Sequence, residues 1–157
     1  MHRTTSSLLF VLTFGILSFL SCKRPFYSKE IKFPKEIWTY NQPLEYNWSI
    51  QDTHKAYDLI LYVRHDDQLK YQNIYVRCHS SYPDKSVQTQ EVSLELLDAA
   101  GKPNGTCNMG TCTAEIPLIL NTVFPVMGDY GLKIEQYSRV DSFPGLKAVR
   151  FDLVERK

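Results

Sequence analysis

Leu44-Glu45-Tyr46-Asn47-Trp48-Ser49-Ile50 sets large apolar side chains against polar ones with a period of two. That alternation marks a strand with one face on a core and the other in solvent. The next stretch, Ala56 to Arg64, is denser: Tyr57, Leu59, Leu61 and Val63 fall on one face, Ile60 and Tyr62 on the other. Apolar residues on both faces point to a central strand. Outward from this pair the pattern repeats. Ile74, Val76 and Cys78 alternate with Tyr75, Arg77 and His79, while Val92, Leu94 and Leu96 share one side. Ile116, Leu118 and Leu120 are in step, Tyr130, Leu132 and Ile134 alternate, and Val149, Phe151 and Leu153 form the last run. Pro117 puts its strand at a sheet edge, because proline has no N–H to give a central ladder.

Between these runs lie turn signals at Gln51–Lys55, His65–Gln68, Tyr82–Lys85, Asp98–Gly105 and Asp141–Gly145. No long stretch carries a helical period. About seven short strands at regular spacing predict an all-β, immunoglobulin-like sandwich over residues 37–157. The Gly128-Asp129-Tyr130 step is similar to the tyrosine corner of such sandwiches, whose hydroxyl is tied to upstream backbone; Leu132 stands where a cysteine would follow.

The other end of the chain sets its address. Arg3 and a polar approach precede an apolar run from Leu8 to Leu20, which closes on Ser21 and Cys22. The run is shorter than the roughly 20 residues a spanning helix needs, and it fits the apolar region of a secretory signal. Its Phe19-Leu20-Ser21-Cys22 ending looks like a bacterial lipoprotein signal, in which the cysteine is lipidated and the chain is cut before it. This assigns residues 1–21 to the signal and 22–36 to the lipidated Cys22 and a polar tether with two prolines. Two acyl chains already make a stable anchor, so the membrane is the first expected partner. Lys23 and Arg24 follow the cysteine where an acidic run would favour surface export; the expectation is an outer-membrane anchor with the domain facing the periplasm.

Setting Arg3 aside, the mature chain balances seventeen basic against seventeen acidic residues. A neutral chain without a Lys/Arg block has no electrostatic footprint for nucleic acid. Three cysteines remain: Cys78, Cys107 and Cys112. The oxidising compartment allows pairing. Joining Cys107 to Cys112 across Asn-Met-Gly-Thr, worth about 2 kcal/mol in the chain-entropy view, is the favoured pairing, with Cys78 a buried thiol. Cys78 paired with either of the others is the rival. A zinc site would need Cys78 and His54 or His65 beside that pair; only one pair has ligand spacing, and no metal is expected.

No nucleophile elbow, phosphate loop, zinc-protease helix motif or calcium loop occurs, and nothing calls for a cofactor. His54, His65 and His79 each lie near acids or serines, which describes solvated turns as well as it describes a triad, and a triad is defined by geometry. The chain is therefore read as non-enzymatic. Among the aromatics, Trp48, Tyr57, Tyr62, Tyr71 and Tyr75 fit either core packing or a sugar-stacking face. Tyr62 and Tyr75, on the less apolar sides of strands read as neighbours, are the candidates for a partner-binding face.

Taken in order, Tyr57-Asp58-Leu59, Tyr71-Gln72-Asn73-Ile74, Tyr82-Pro83-Asp84, the Asp98–Gly105 loop, Phe124-Pro125-Val126-Met127-Gly128-Asp129-Tyr130-Gly131-Leu132-Lys133-Ile134-Glu135-Gln136, Arg139 and Pro144-Gly145-Leu146 resemble the gliding-motility lipoprotein GldH family of Bacteroidetes. The Cys107–Cys112 segment departs from that pattern. The resemblance implies a membrane-tethered, non-catalytic component of the gliding apparatus, linked in that phylum to type IX secretion, with envelope proteins as partners. It implies no catalytic residues. A glycan-binding surface lipoprotein is the alternative.

Overall fold

A computed structural model describes residues 24–156, so the signal and Cys22 lie outside the described residues. Eleven strands run through them: β1 (Tyr27–Lys32), β2 (Ile37–Thr39), β3 (Leu44–Ile50), β4 (Ala56–Asp66), β5 (Asn73–Ser81), β6 (Val87–Glu95), β7 (Thr106–Asn108), β8 (Thr111–Val123), β9 (Gly128–Gln136), β10 (Ser142–Pro144) and β11 (Leu146–Glu155). One sheet has the order β1-β11-β4-β8-β7, the other β3-β9-β5-β6, and β2 and β10 form a small separate ribbon. All pairings in the two large sheets are antiparallel.

The alternation read in the sequence decides which side chains meet between the sheets. β3 buries Leu44, Tyr46, Trp48 and Ile50, and β4 buries Tyr57, Leu59, Leu61 and Val63. Val149, Phe151 and Leu153 of β11 face Ile74, Val76, Cys78 and Ile134 in the same core cluster. Each such aliphatic or aromatic side chain contributes about 1.5–3 kcal/mol by leaving water. Tyr46 also ties one sheet to the other, its hydroxyl donating to the carbonyl of Val149 at 3.1 Å.

The all-β sandwich is present, but its strand order is not that of an immunoglobulin domain. The eight long strands pair in nested fashion: β1 with β11, β3 with β9, β4 with β8, and β5 with β6. A long hairpin rolled up on itself produces this order, which is the jelly-roll form of the sandwich. Alternation tells which face a residue takes and says nothing about which strand lies beside it.

Two further expectations change. Tyr27–Lys32, assigned to the tether, is strand β1, hydrogen-bonded along β11 from Leu153 to Ala148. The folded unit therefore takes in residues well before Ile37. His65, expected in a turn, is fully buried near the end of β4. Pro117 sits where sequence placed it: β7 covers β8 only at Thr111–Thr113, so the remainder of β8 is an edge. The register against β4 slips twice in this edge segment, between Leu59 and Ile60 and between Tyr57 and Leu59. At the second slip Asn121 takes a positive φ of 55°, and its N–H donates to Asp58 Oδ1 at 2.8 Å.

Candidate functional site

The two ends of the sandwich are built differently. At one end the ribbon of β2 and β10 closes the gap between the sheets. Trp38 there is fully buried, stacks on Phe33 with ring centroids 5.3 Å apart, and donates its indole N–H to the Gln42 carbonyl at 2.8 Å. Phe143, opposite Trp38 in the ribbon, packs edge-on against Tyr71. The β7–β8 hairpin lies at this end too, with the Asp67 N–H donating to the Gly110 carbonyl. A disulfide joins Cys107 to Cys112, which face each other across the hairpin.

The opposite end carries Phe26, the β3–β4 loop, the β5–β6 turn and the β8–β9 loop, and no ribbon among the described residues covers it. A cleft of about 300 Å³ opens between the last stretch of β8 and the ends of β5 and β6. Its lining is mainly apolar: Trp48, Leu59, Tyr82, Leu118, Ile119, Phe124, Tyr130 and Leu132, with Ser80, Ser81, Gln90 and Thr122 as the polar members. The aromatic rings form a connected set. Phe124 lies 4.6 Å from Tyr130, 5.5 Å from Tyr57 and 6.1 Å from Trp48, and Tyr57 continues the set to Phe26 at 5.4 Å. The indole N–H of Trp48 is buried without a hydrogen-bond partner among the described residues.

The Gly128–Gly131 segment explains how the β8–β9 loop is held. Gly128 has a φ of +135°, and a side-chain carbon there would come within 3.0 Å of Pro83. At Gly131 the same carbon would stand 2.5 Å from Ser81 Oγ and 3.0 Å from Asn47 Oδ1, so both side chains would have to turn aside for a larger residue. Between them Tyr130 turns inward, and its hydroxyl donates to the Val126 carbonyl at 2.7 Å. This is the upstream tie read from the Gly-Asp-Tyr step. It holds the loop so that Val126 and Met127 stay exposed.

The paired candidates Tyr62 and Tyr75 do not share a face. β4 and β5 belong to different sheets, and both tyrosines point away from the core, so they lie on opposite sides of the sandwich. Tyr62 is half-buried under the Arg150 guanidinium, 4.3 Å from its ring centre, and Arg150 is ion-paired with the buried Asp152. Burial first, and then the nearby Glu115 and Asp152 carboxylates, hold the Tyr62 hydroxyl above its ordinary pKa. Tyr75 stays open, more than half exposed, near Tyr137, whose ring is covered by Arg77 at 3.4 Å. Its carbonyl accepts from the Tyr137 N–H, which fixes the pair side by side. Trp48 and Tyr57 belong to the core, so of the aromatics considered for sugar stacking only Tyr75 presents an open ring.

The histidines are separate. His54 is exposed beside Asp52, and His79 bridges Thr89 at 2.8 Å and Glu135 at 3.0 Å on the outer face of its sheet. The bonds from Lys133 and then His79 pull the Glu135 carboxyl below its usual range. His65 donates from Nδ1 to the Asp66 carbonyl at 2.8 Å, and its Nε2 is buried without a partner among the described residues. Among the described residues no three His, Cys, Asp or Glu side chains gather as a metal site. Cys107 and Cys112 are joined as a disulfide, and Cys78 is a buried free thiol whose pKa burial pushes up to about 12. No helix among the described residues is long and apolar enough to cross a membrane.

Sequence reading missed the cleft. The available signal was Phe124-Pro125-Val126-Met127, an apolar stretch framed by proline and glycine with no polar alternation, which is unusual for a loop.

The architecture defines a jelly-roll domain closed at one end and open at the other. The profile of the GldH lipoprotein family matches residues 25–152, and the chain belongs to that family. A member of a lipoprotein family is tethered to a membrane of the cell envelope. No curated protein matches the chain.

Proposed function

We propose that this protein is a non-catalytic docking module of the gliding-motility and type IX secretion-linked envelope machinery, lipidated on Cys22. The observation that carries the reading is the family match, which begins three residues after Cys22 and takes in nearly the whole jelly roll. The apolar run ending at Cys22 supports the site of lipidation, and the basic Lys23 and Arg24 support a domain facing the periplasm from the outer membrane. The scattered positions of His54, His65 and His79 support a role without catalysis.

Partner proteins dock on the outer face of the four-stranded sheet. Tyr75 and the Arg77–Tyr137 pair supply an exposed aromatic anchor there, of the kind that concentrates binding energy at interfaces. Beside them β6 is an edge strand, exposed from Val87 to Glu91, and can accept an added strand.

Crosslinking in membranes, followed by capture of the native protein, Cys22→Ala and Tyr75→Ser, tests the proposal. Native protein should recover gliding or secretion-complex components. Cys22→Ala should turn soluble and lose them, and Tyr75→Ser should stay in the membrane yet recover less. Native protein that sits in membranes and brings down no envelope machinery overturns the docking role.

A further inference from the structure

The open end of the jelly roll is the end from which the chain leaves toward Cys22. Cys22 stands four residues before Phe26, so the extended chain between them spans no more than about 14 Å. Phe26 packs on Tyr57 at the start of β4, beside the C-terminal end of β8. A lipid on Cys22 therefore holds this end near the bilayer surface and leaves the Trp38 end facing away. The same end gathers exposed apolar side chains: Phe26, Ile119, Leu120, Val123, Val126 and Met127, each 41% exposed or more. An isolated exposed aliphatic residue means little, but a group of them at one end of a domain marks an interaction surface.

We infer that this end is a membrane-seating surface, with the β8–β9 loop and Phe26 inserted among the lipid head groups. The inference rests on the lipidation of Cys22 proposed above. A lipid surface fits this position better than a protein partner for two reasons. First, the short tether brings the surface to the bilayer without any further recognition. Second, the charges at this end are largely matched within the protein. Lys55 pairs with Glu155 at 2.9 Å, Arg156 with Asp58 at 3.1 Å, and His54 lies 3.3 Å from Asp52; Asp84 is bonded to Ser86, Lys85 and Asp129 are of opposite sign, and the exposed Arg24 beside Phe26 adds one positive charge. Seating is thus driven chiefly by apolar side chains, with Lys23 and Arg24 adding a smaller attraction to anionic head groups. Its consequence is orientation: the Tyr75 face stands at the side of a fixed domain, where a membrane-bound partner can reach it.

The test uses the full lipidated protein reconstituted in phosphatidylethanolamine/phosphatidylglycerol vesicles. A single cysteine is introduced as Met127→Cys at the open end or as Tyr40→Cys beside the far ribbon, away from the Cys107–Cys112 disulfide, and labelled with an environment-sensitive fluorophore. Cys78 is fully buried with a raised pKa, so labelling is confined to the introduced thiol. The label at position 127 should shift to the blue on vesicles and be quenched several-fold more by spin-labelled lipid than the label at position 40. Val126→Asp in the Met127→Cys background should abolish that difference while the protein still floats with the vesicles. Protein that floats with both labels equally aqueous overturns seating and leaves lipidation standing. Protein that does not float, and carries no acyl mass, overturns both. A Met127 label already shielded without vesicles means self-association at this end and also overturns seating.

Discussion

Trp38 and Trp48 occupy opposite ends of one core, and their surroundings differ in every respect that matters. Trp38 is sealed by a ribbon, stacked on Phe33, and its N–H is satisfied by Gln42. Trp48 lines a cleft, and its N–H has no partner among the described residues. The first end is finished as a protein interior is expected to be finished, with buried polar groups bonded and gaps filled. The second is left open and rimmed with exposed aliphatic residues. The difference teaches that the fold places its stability at the Trp38 end and its apolar contact surface at the other.

Substitutions can break this contrast in order of effect. Trp38→Ala removes a fully buried ring and should cost about 3–5 kcal/mol, read from chemical denaturation. Removing the disulfide with Cys107→Ala and Cys112→Ala should cost about 2 kcal/mol while leaving membrane attachment unchanged in fractionation. Replacing each tryptophan by phenylalanine sharpens the comparison. Trp38→Phe leaves the Gln42 carbonyl without its donor, whereas Trp48→Phe removes a donor that was unpaired. The first should be less stable than the second by about 1 kcal/mol in the same denaturation experiment. Val126→Asp, on an exposed loop, should change stability by no more than about 0.5 kcal/mol. It should nevertheless weaken vesicle seating, because the residue acts at a surface and not in the core.

Much of this was legible before the fold was known. The period of two across Leu44–Ile50, and the two-sided apolar pattern of Ala56–Arg64, follow directly from which faces are buried. Pro117 announced an edge strand because its missing N–H is incompatible with pairing on both sides. The order of strands was not legible, since alternation carries no record of which strand lies alongside. Alternation therefore cannot separate Tyr62 from Tyr75, although their strands belong to different sheets. Strand β1 is hidden by Lys29, which shares the strand face of Tyr27 and Ile31 but is exposed and breaks the apolar pattern. Its ammonium donates to the Glu45 carbonyl at 2.8 Å, close to the Tyr46 ring. The ribbon was hidden because a three-residue strand is too short to display a period. At the open end, the apolar loop is visible as residues but not as a surface, because its exposure depends on the bond from the Tyr130 hydroxyl to the Val126 carbonyl.

Amide hydrogen exchange of the lipidated protein, compared with and without vesicles, tests the contrast between the ends most directly. The account predicts slower exchange on vesicles across residues 119–127 and no change across the hairpin at 106–113. Equal protection at both ends, or protection confined to the hairpin, would contradict it.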